Sequence, residues 1–245
     1  MPLAAFETFG SQHLLLLGVF VLGLVAVVAF GRTRRPVGID RLDQPISGDR
    51  ACRDPGAFDR AFAVVLVVVA LSAQAFQLTP GDFDLGSSLP LALCDLAWVA
   101  AAWALWTRRR LPAAVTYYWG LTLTIQGILT PSLGQAFPHP RFFMFWALHL
   151  LVVWAAAYVS LGLGVGPGWR EYRWTVAISL VWAVVAYAFN VAFDVNYGYL
   201  VDKPRSGSLL DPLGPWPVYV FASLGVLLAG WALMTWPWVA RAARE

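Results

Sequence analysis

Two side chains with complementary chemistry lie in different hydrophobic stretches of the sequence, the thiol of Cys94 and the imidazole of His149. A thiol beside an imidazole can lose its proton to the ring and act as a nucleophile at neutral pH. The two residues therefore indicate a nucleophile with its general base, if the fold brings them together. The alternative is a histidine satisfied by Asn190 or Asp95, beside a cysteine that only packs.

Further polar residues recur in the hydrophobic stretches, where a bilayer normally excludes them. From the helical rise, Cys94 and Asp95 lie about 8 to 9 Å, and His149 about 10 Å, below the outer ends of their predicted helices. This shared depth predicts a polar cavity in the outer third of the protein, where Asn190 or Gln126 are candidate donors to an oxyanion. The side chains predicted to complete the cavity are Asp95, Gln126, Thr130, Asn190, Asp194, Asn196 and Tyr197.

The remaining polar residues of the stretches carry less information. Thr122 and Thr124 can bond the backbone of their own helix, and they indicate no site. His139 and His149 share no helical spacing with a further ligand, so that no metal is predicted and no cofactor is expected.

The composition excludes most classes of soluble protein. Of the 245 residues, 59% are hydrophobic and 13% are charged, whereas a soluble domain is nearer half hydrophobic and a quarter charged. A soluble nucleotide-binding enzyme, a disulfide-rich secreted domain and a nucleic-acid-binding protein are excluded on this ground. The net charge of +3 is attributed to arginines in the loops.

The elements that must position the polar residues are transmembrane helices. Runs without charge, of the length that a bilayer requires, predict an all-α bundle of seven such helices within one domain, residues 1–245. An Arg-rich linker is predicted at 32–60, and a long outer loop at 194–215 has the prolines, glycines and aromatics of a lid or binding loop. The helices are predicted near 12–30, 61–78, 89–107, 112–130, 142–163, 172–193 and 216–238.

The basic residues are divided unequally between the two sides of this bundle. Fourteen Lys and Arg residues fall on the side of the linker and the C-terminal tail, and three fall on the other side. The positive-inside rule then predicts an outside N-terminus and a cytoplasmic C-terminus, in a multi-pass protein of the cytoplasmic membrane. The three outer cations, Arg141, Lys203 and Arg205, are candidates to hold a lipid phosphate.

Several motifs together resemble the YwaF-like integral membrane proteins of bacteria, from about residue 12 to 238. Each motif is short, but the set is specific. It comprises Leu89-Pro90-Leu91 with Cys94-Asp95-Leu96, Tyr118-Trp119-Gly120, Phe137-Pro138-His139-Pro140, Asn196-Tyr197-Gly198-Tyr199-Leu200, Lys203-Pro204 and Leu213-Gly214-Pro215-Trp216-Pro217.

The resemblance implies an acyl-transfer chemistry, because this family is grouped with a vertebrate transmembrane acyltransferase that moves acyl chains between phospholipids. It implies Cys94 as the nucleophile and His149 as its base, in a phospholipid acyltransferase or acyl-ester hydrolase. The expected partners are membrane phospholipids and lysophospholipids. The alternative is an outward-facing protein that binds or transports a lipid or small molecule without catalysis, and a receptor-like or scaffold protein is a third possibility.

Overall fold

A computed structural model describes residues 6–35, 54–131, 133–204 and 210–244. Within these ranges the regular elements are helices, which confirms the all-α expectation for the described part of the chain. Two π-helical segments interrupt the α-helical pattern: Trp119–Thr124 joins α4 to α5, and Tyr158–Gly162 extends α6. In chain order the α-helices are α1 (Ser11–Thr33), α2 (Ala57–Gln77), α3 (Leu93–Thr107), α4 (Arg110–Tyr118), α5 (Ile125–Leu129), α6 (Pro140–Ala157), α7 (Trp169–Phe193) and α8 (Val218–Ala242).

Five of these helices are long and apolar enough to cross a membrane, namely α1, α2, α6 with its π-helical extension, α7 and α8. Helices of this length and composition are expected of a multi-pass membrane protein. The two other predicted spans have a different form. α3 is apolar but has 15 residues, and α4, the π-helical segment and α5 follow one another without a break from 110 to 129.

The observed bounds depart most from the predicted ones at α3, which begins at Leu93 rather than at residue 89. Ala92 is the N-cap and has an extended backbone, with φ −73° and ψ 147°. The residues before it are held outside the helix by distant groups: the Trp182 indole donates to Leu91 O at 2.8 Å. Cys94 therefore lies in the first turn of α3, and not a third of the way along a longer helix.

The other helix ends differ by a few residues from the prediction. α1 and α8 extend further at their C-terminal ends, to Thr33 and Ala242, and α2 begins earlier, at Ala57. The predicted linker at 32–60 is thus shortened by both neighbouring helices, and its central part, residues 36–53, lies outside the described residues.

α6 is the central helix of the described structure. In its apolar window 61% of the residues are buried, compared with 11% for α1 and 17% for α7 and α8. Small residues allow close approach to it, as is usual between transmembrane helices. A Cβ added to Gly31 of α1 would lie 2.6 Å from the Cα of Gly162, and one added to Gly120 would lie 2.7 Å from the Cβ of Ala156.

The end of the bundle near Arg108 is held by a buried ion pair. Arg108 ends α3 in a left-handed conformation, with φ 49°, and its Nη2 donates to Asp59 Oδ2 at 2.6 Å. The Tyr158 hydroxyl donates to Asp59 Oδ1 at 2.9 Å, and the Gly56 amide donates to Oδ2 at 2.6 Å. One carboxylate thereby joins α2, α3 and the π-helical extension of α6.

Candidate functional site

Cys94 lies at the opposite end of α3, as the second residue of the helix. The first-turn N–H groups of a helix point outward and carry the positive end of its dipole, which favours a negative charge beside them. The thiol is half-buried and free. It donates to Asp95 Oδ1, with Sγ 4.0 Å from that oxygen.

His149 lies on the buried side of α6, and its ring is held in one orientation. Nδ1 lies 2.8 Å from the carbonyl oxygen of Phe145, and the two rings stack with centroids 4.1 Å apart. Because a carbonyl oxygen can only accept, Nδ1 carries the hydrogen and Nε2 of the neutral ring carries a lone pair. Nε2 makes no hydrogen bond with any residue that the structure describes.

A neighbouring glycine makes room for this ring. A Cβ added to Gly127 of α5 would lie 2.6 Å from Cδ2 and 2.7 Å from Nε2 of His149. Both distances are far shorter than a van der Waals contact. Any side chain at residue 127 would therefore clash with the His149 ring in its observed position. The basic nitrogen of His149 therefore lies at the interface between α5 and α6.

The other two histidines have structural partners. His13 is fully buried; its Nδ1 accepts from the Phe9 amide at 2.9 Å and its Nε2 donates to Ile128 O at 2.8 Å. His139 is the N-cap of α6, and its Nδ1 accepts from the Arg141 amide at 3.2 Å. His13 has both ring nitrogens occupied and His139 caps a helix. His149 is therefore a better candidate for proton transfer than either of them.

The predicted pair of Cys94 and His149 is not joined by a hydrogen bond in the described structure. Their elements are in contact, since α3 packs against both α6 and the segment Trp119–Thr124. The two side chains thus lie on adjoining helices, and their pairing stays a prediction.

Two of the predicted cavity residues, Asn190 and Tyr197, bind each other. Asn190 Nδ2 donates to Tyr197 O at 2.9 Å, and the Tyr197 amide donates to Asn190 Oδ1 at 2.7 Å. The Tyr197 hydroxyl donates to Leu85 O at 2.8 Å and accepts from the Leu89 amide at 3.0 Å. Asn190 therefore holds Tyr197 at the start of the loop, and Tyr197 in turn bonds the segment before α3, so that the Asn190 side-chain amide is engaged within the protein.

The environment of Tyr197 keeps its hydroxyl protonated. Burial raises the pKa of this phenol, and the carboxylates of Asp95 and Asp84 raise it further, while the Leu89 amide acts in the opposite direction. The hydroxyl can therefore act as a hydrogen-bond donor over the whole physiological pH range. The bond that this hydroxyl accepts from the Leu89 amide places the loop beside the segment that precedes α3.

The remaining predicted cavity residues lie closer to the surface. Gln126 and Thr130 are exposed, and the Thr130 hydroxyl donates to Gln126 O at 3.1 Å. Asp194 is an exposed C-cap of α7 with φ 52°. Asn196 organises the outer loop, since its Oδ1 accepts from the Val201 and Asp202 amides.

The predicted headgroup cations have protein partners where they are described. Arg141 Nη2 lies 3.0 Å from Asp82 Oδ1 and donates to Asp82 O at 2.8 Å. Lys203 Nζ donates to Asp211 O at 3.1 Å and lies 5.3 Å from the centre of the Tyr219 ring. Arg205 lies outside the described residues.

Sequence reasoning missed two polar groups of this region, the Thr124 hydroxyl and the Trp146 indole N–H. Both are buried and make no hydrogen bond in the described structure. Thr124 can bond its own helix, but in the described structure it does not. Nothing in the sequence signals the π-helical segment that ends at Thr124, so the exception could not be predicted.

No metal site is apparent in the described ranges, because no three His, Cys, Asp or Glu side chains gather there as ligands.

Comparison with known proteins gives one family match. A family model described as the TMEM164 family matches residues 8–235, which include all the described candidate residues. No curated protein and no solved structure matches the chain.

Proposed function

Since the chain belongs to the TMEM164 family of transmembrane proteins, we propose that it is a membrane-embedded acyltransferase or acyl-ester hydrolase acting on phospholipids. Cys94 is the nucleophile and His149 is its general base. The observation that carries this function is the state of His149: its Nδ1–H bonds the Phe145 carbonyl, and Nε2 is left with a free lone pair. A general base needs this tautomer in this orientation.

The position of Cys94 supports the same chemistry. A thiol in the first turn of a helix lies at the positive end of the helix dipole, which favours its thiolate. Asp95 beside it has the opposite effect, because its charge disfavours a second anion nearby. Activation by His149 is therefore needed, and Sγ and Nε2 must come within hydrogen-bonding distance when substrate is bound. Catalytic hydrogen bonds are often long before the substrate is present.

The reaction proceeds by two acyl transfers. Nε2 of His149 takes the thiol proton, and the Cys94 sulfur attacks the ester carbonyl of a phospholipid, which forms the C–S bond. The C–O bond to the glycerol oxygen then breaks, and the imidazolium returns the proton to the leaving alkoxide to give a lysophospholipid. In the second transfer, Nε2 takes the proton of a lysophospholipid hydroxyl or of water, and that oxygen attacks the thioester carbonyl. The C–O bond forms and the C–S bond breaks, which gives a phospholipid or a fatty acid, and the imidazolium returns the proton to the Cys94 thiolate.

The membrane topology completes this proposal. α3 and the helical run from 110 to 129 join the five longer helices to make seven spans, with the N-terminus outside and the C-terminus in the cytoplasm. Cys94, His149 and the outer loop then lie in the outer half of the cytoplasmic membrane. Lys203 and Arg205 are the cations for the lipid phosphate, and Arg141 would first have to exchange its Asp82 partner.

The covalent step can be tested directly on the purified protein. The protein is placed in separate nanodiscs of phosphatidylcholine, phosphatidylethanolamine and phosphatidylglycerol, each with the matching lysophospholipid. Mass spectrometry of the intact protein should show one added acyl group, located on Cys94 and released by hydroxylamine. His149→Gln should slow the acylation by about 100-fold or more, as expected for loss of a general base.

The second cysteine provides the matched control. Cys52→Ala should leave acylation and acyl exchange unchanged, whereas Cys94→Ala should abolish both. Acyl exchange that persists in Cys94→Ala, or no acylated protein with any of the three lipids, would contradict the enzyme proposal. If Cys94→Ser still binds lipid like the unmodified protein and no acylated species forms, the non-catalytic lipid-binding function is correct.

A further inference from the structure

We infer that Thr124 is a further catalytic residue, whose hydroxyl donates a hydrogen bond to the carbonyl oxygen of the acyl group being transferred. This inference rests on the proposed function and identifies an oxyanion donor other than Asn190, which binds Tyr197, and Gln126, which is exposed.

Thr124 is an exception among the buried hydroxyl groups of the described helices. Its side chain is 1% exposed and Oγ1 has no hydrogen-bond partner. A buried hydroxyl without a partner is destabilising, so such a group in a native structure calls for a specific cause. The other buried Ser and Thr hydroxyls of the described helices bond the carbonyl four residues earlier: Thr116, Ser160, Thr175, Ser179 and Thr235.

The π-helical geometry does not by itself prevent this bond. Thr122 lies in the same segment, and its hydroxyl donates to Tyr118 O. The unpaired state is thus particular to Thr124, the last residue of the segment. π-Helical turns inside α-helices occur frequently at functional sites, where they redirect side chains.

Helical spacing places Thr124 on the side of its helix that faces α6. Gly120 and Gly127 both contact α6, since added Cβ atoms would meet Ala156 and His149. Thr124 lies four residues after the first and three before the second, and residues at these separations share a helix face. The hydroxyl is therefore about one turn from the glycine that touches the His149 ring.

Thr124 also lies level with Cys94. α3 and α4 form a helical hairpin around Arg108 and Arg109, and they pack against each other and against the π-helical segment. Cys94 precedes Arg108 by fourteen residues and Thr124 follows Arg109 by fifteen, so each lies about 20 Å from the turn. Cys94 and Thr124 thus lie at a similar level of two packed helices, and Gly127, which touches the His149 ring, lies about one turn further along.

An unpaired hydrogen-bond donor at this level could stabilise the negative charge that develops on the carbonyl oxygen during acyl transfer. When the thiolate adds to the ester, the carbonyl oxygen gains a negative charge, which is lost again when the C–O bond breaks. A donor held in place before the reaction stabilises this charge without reorganisation. Thr124 keeps its proton throughout and only donates the hydrogen bond.

The test is Thr124→Val, which removes the hydroxyl and preserves the shape of the side chain. In the same nanodiscs, the rate of Cys94 acylation should fall about 100- to 1,000-fold, the effect of removing one oxyanion donor, while KM changes little. The melting temperature should be equal to or above that of the unmodified protein, because a buried unpaired donor has been removed. Thr124→Ser should restore most of the rate.

The control is Thr116→Val, in the same continuous helix, which removes a hydroxyl that is bonded to Pro112 O. This variant should acylate at the normal rate. A normal rate in Thr124→Val, with Cys94-dependent acylation in the unmodified protein, overturns the role of Thr124 and leaves the proposed function standing. Equal losses in both variants would also overturn it. Failure of the unmodified protein to form a thioester refutes both proposals.

Discussion

The three histidines differ in the number of ring nitrogens that the protein itself uses. His13 uses both, and it joins the segment before α1 to the end of α5 through Phe9 and Ile128. His149 uses Nδ1 alone, on a carbonyl of its own helix. A ring that is fixed by one nitrogen and unoccupied at the other is suited to proton transfer, whereas a ring with both nitrogens occupied is suited to holding segments together.

At the same scale, Gly127 determines whether the His149 ring can occupy its position. Gly127→Ala would place a methyl carbon 2.6 Å from Cδ2, so the ring must leave its place or α5 must move. We expect a destabilisation of about 1–3 kcal/mol, typical of overpacking, together with a loss of acyl transfer. Thermal unfolding of the purified variant measures the first effect.

Gly18→Ala in α1 is the control, because an added Cβ there meets nothing within 4 Å. Alanine also favours a helix over glycine by about 1 kcal/mol, so this variant should be slightly stabilised. If Gly127→Ala and Gly18→Ala unfold at the same temperature, Gly127 does not pack tightly against the His149 ring.

At the scale of elements, two ion pairs connect segments at opposite ends of the bundle. The pair of Asp59 and Arg108 has side chains 0% and 9% exposed, while the pair of Asp82 and Arg141 has side chains 30% and 31% exposed. A buried charge that loses its partner is far more destabilising than an exposed one, which water can solvate. The two pairs should therefore respond differently to the same substitution.

Asp59→Asn should destabilise the protein by about 3–5 kcal/mol, because it leaves the Arg108 guanidinium buried without a counter-charge. Asp82→Asn should cost at most about 1 kcal/mol. Unfolding of both variants in the same detergent provides the comparison. The double variant Asp59→Leu, Arg108→Leu should recover much of the lost stability, and no recovery would mean that the carboxylate acts mainly through Tyr158 and Gly56.

At the scale of the whole molecule, the orientation in the membrane decides which compartment the candidate site faces. In a Cys52→Ser, Cys94→Ser background, a cysteine introduced at the exposed Asp202 should react with an impermeant thiol reagent in intact cells. One introduced at the exposed Arg109 should react only after the cells are opened. The distribution of the basic residues is the physical reason. The reverse labelling pattern would place the Cys94 end of the bundle in the cytoplasm.

The sequence by itself determined the class of the protein and its family. Long runs without charge can satisfy their backbone in a bilayer only as helices, so the apolar helices could be predicted from local composition. The family resemblance drawn from short motifs is confirmed by the match over residues 8–235. Residue type alone was also enough to single out Cys94, Asp95 and His149 as candidates, because a bilayer rarely accepts such groups without a reason.

Only the tertiary structure decided what each polar side chain does. Asn190 binds Tyr197, the Trp182 indole helps to hold residues before α3 outside the helix, and Gly127 leaves room for the His149 ring. The hydroxyl of Thr124 could bond its own helix, yet it has no partner among the residues that the structure describes. A helix is held by backbone hydrogen bonds between residues four apart, so it depends on a local stretch of chain and can be predicted from the sequence of that stretch. The partner of a buried polar group is chosen by packing between segments that are distant in the chain, which the sequence does not display.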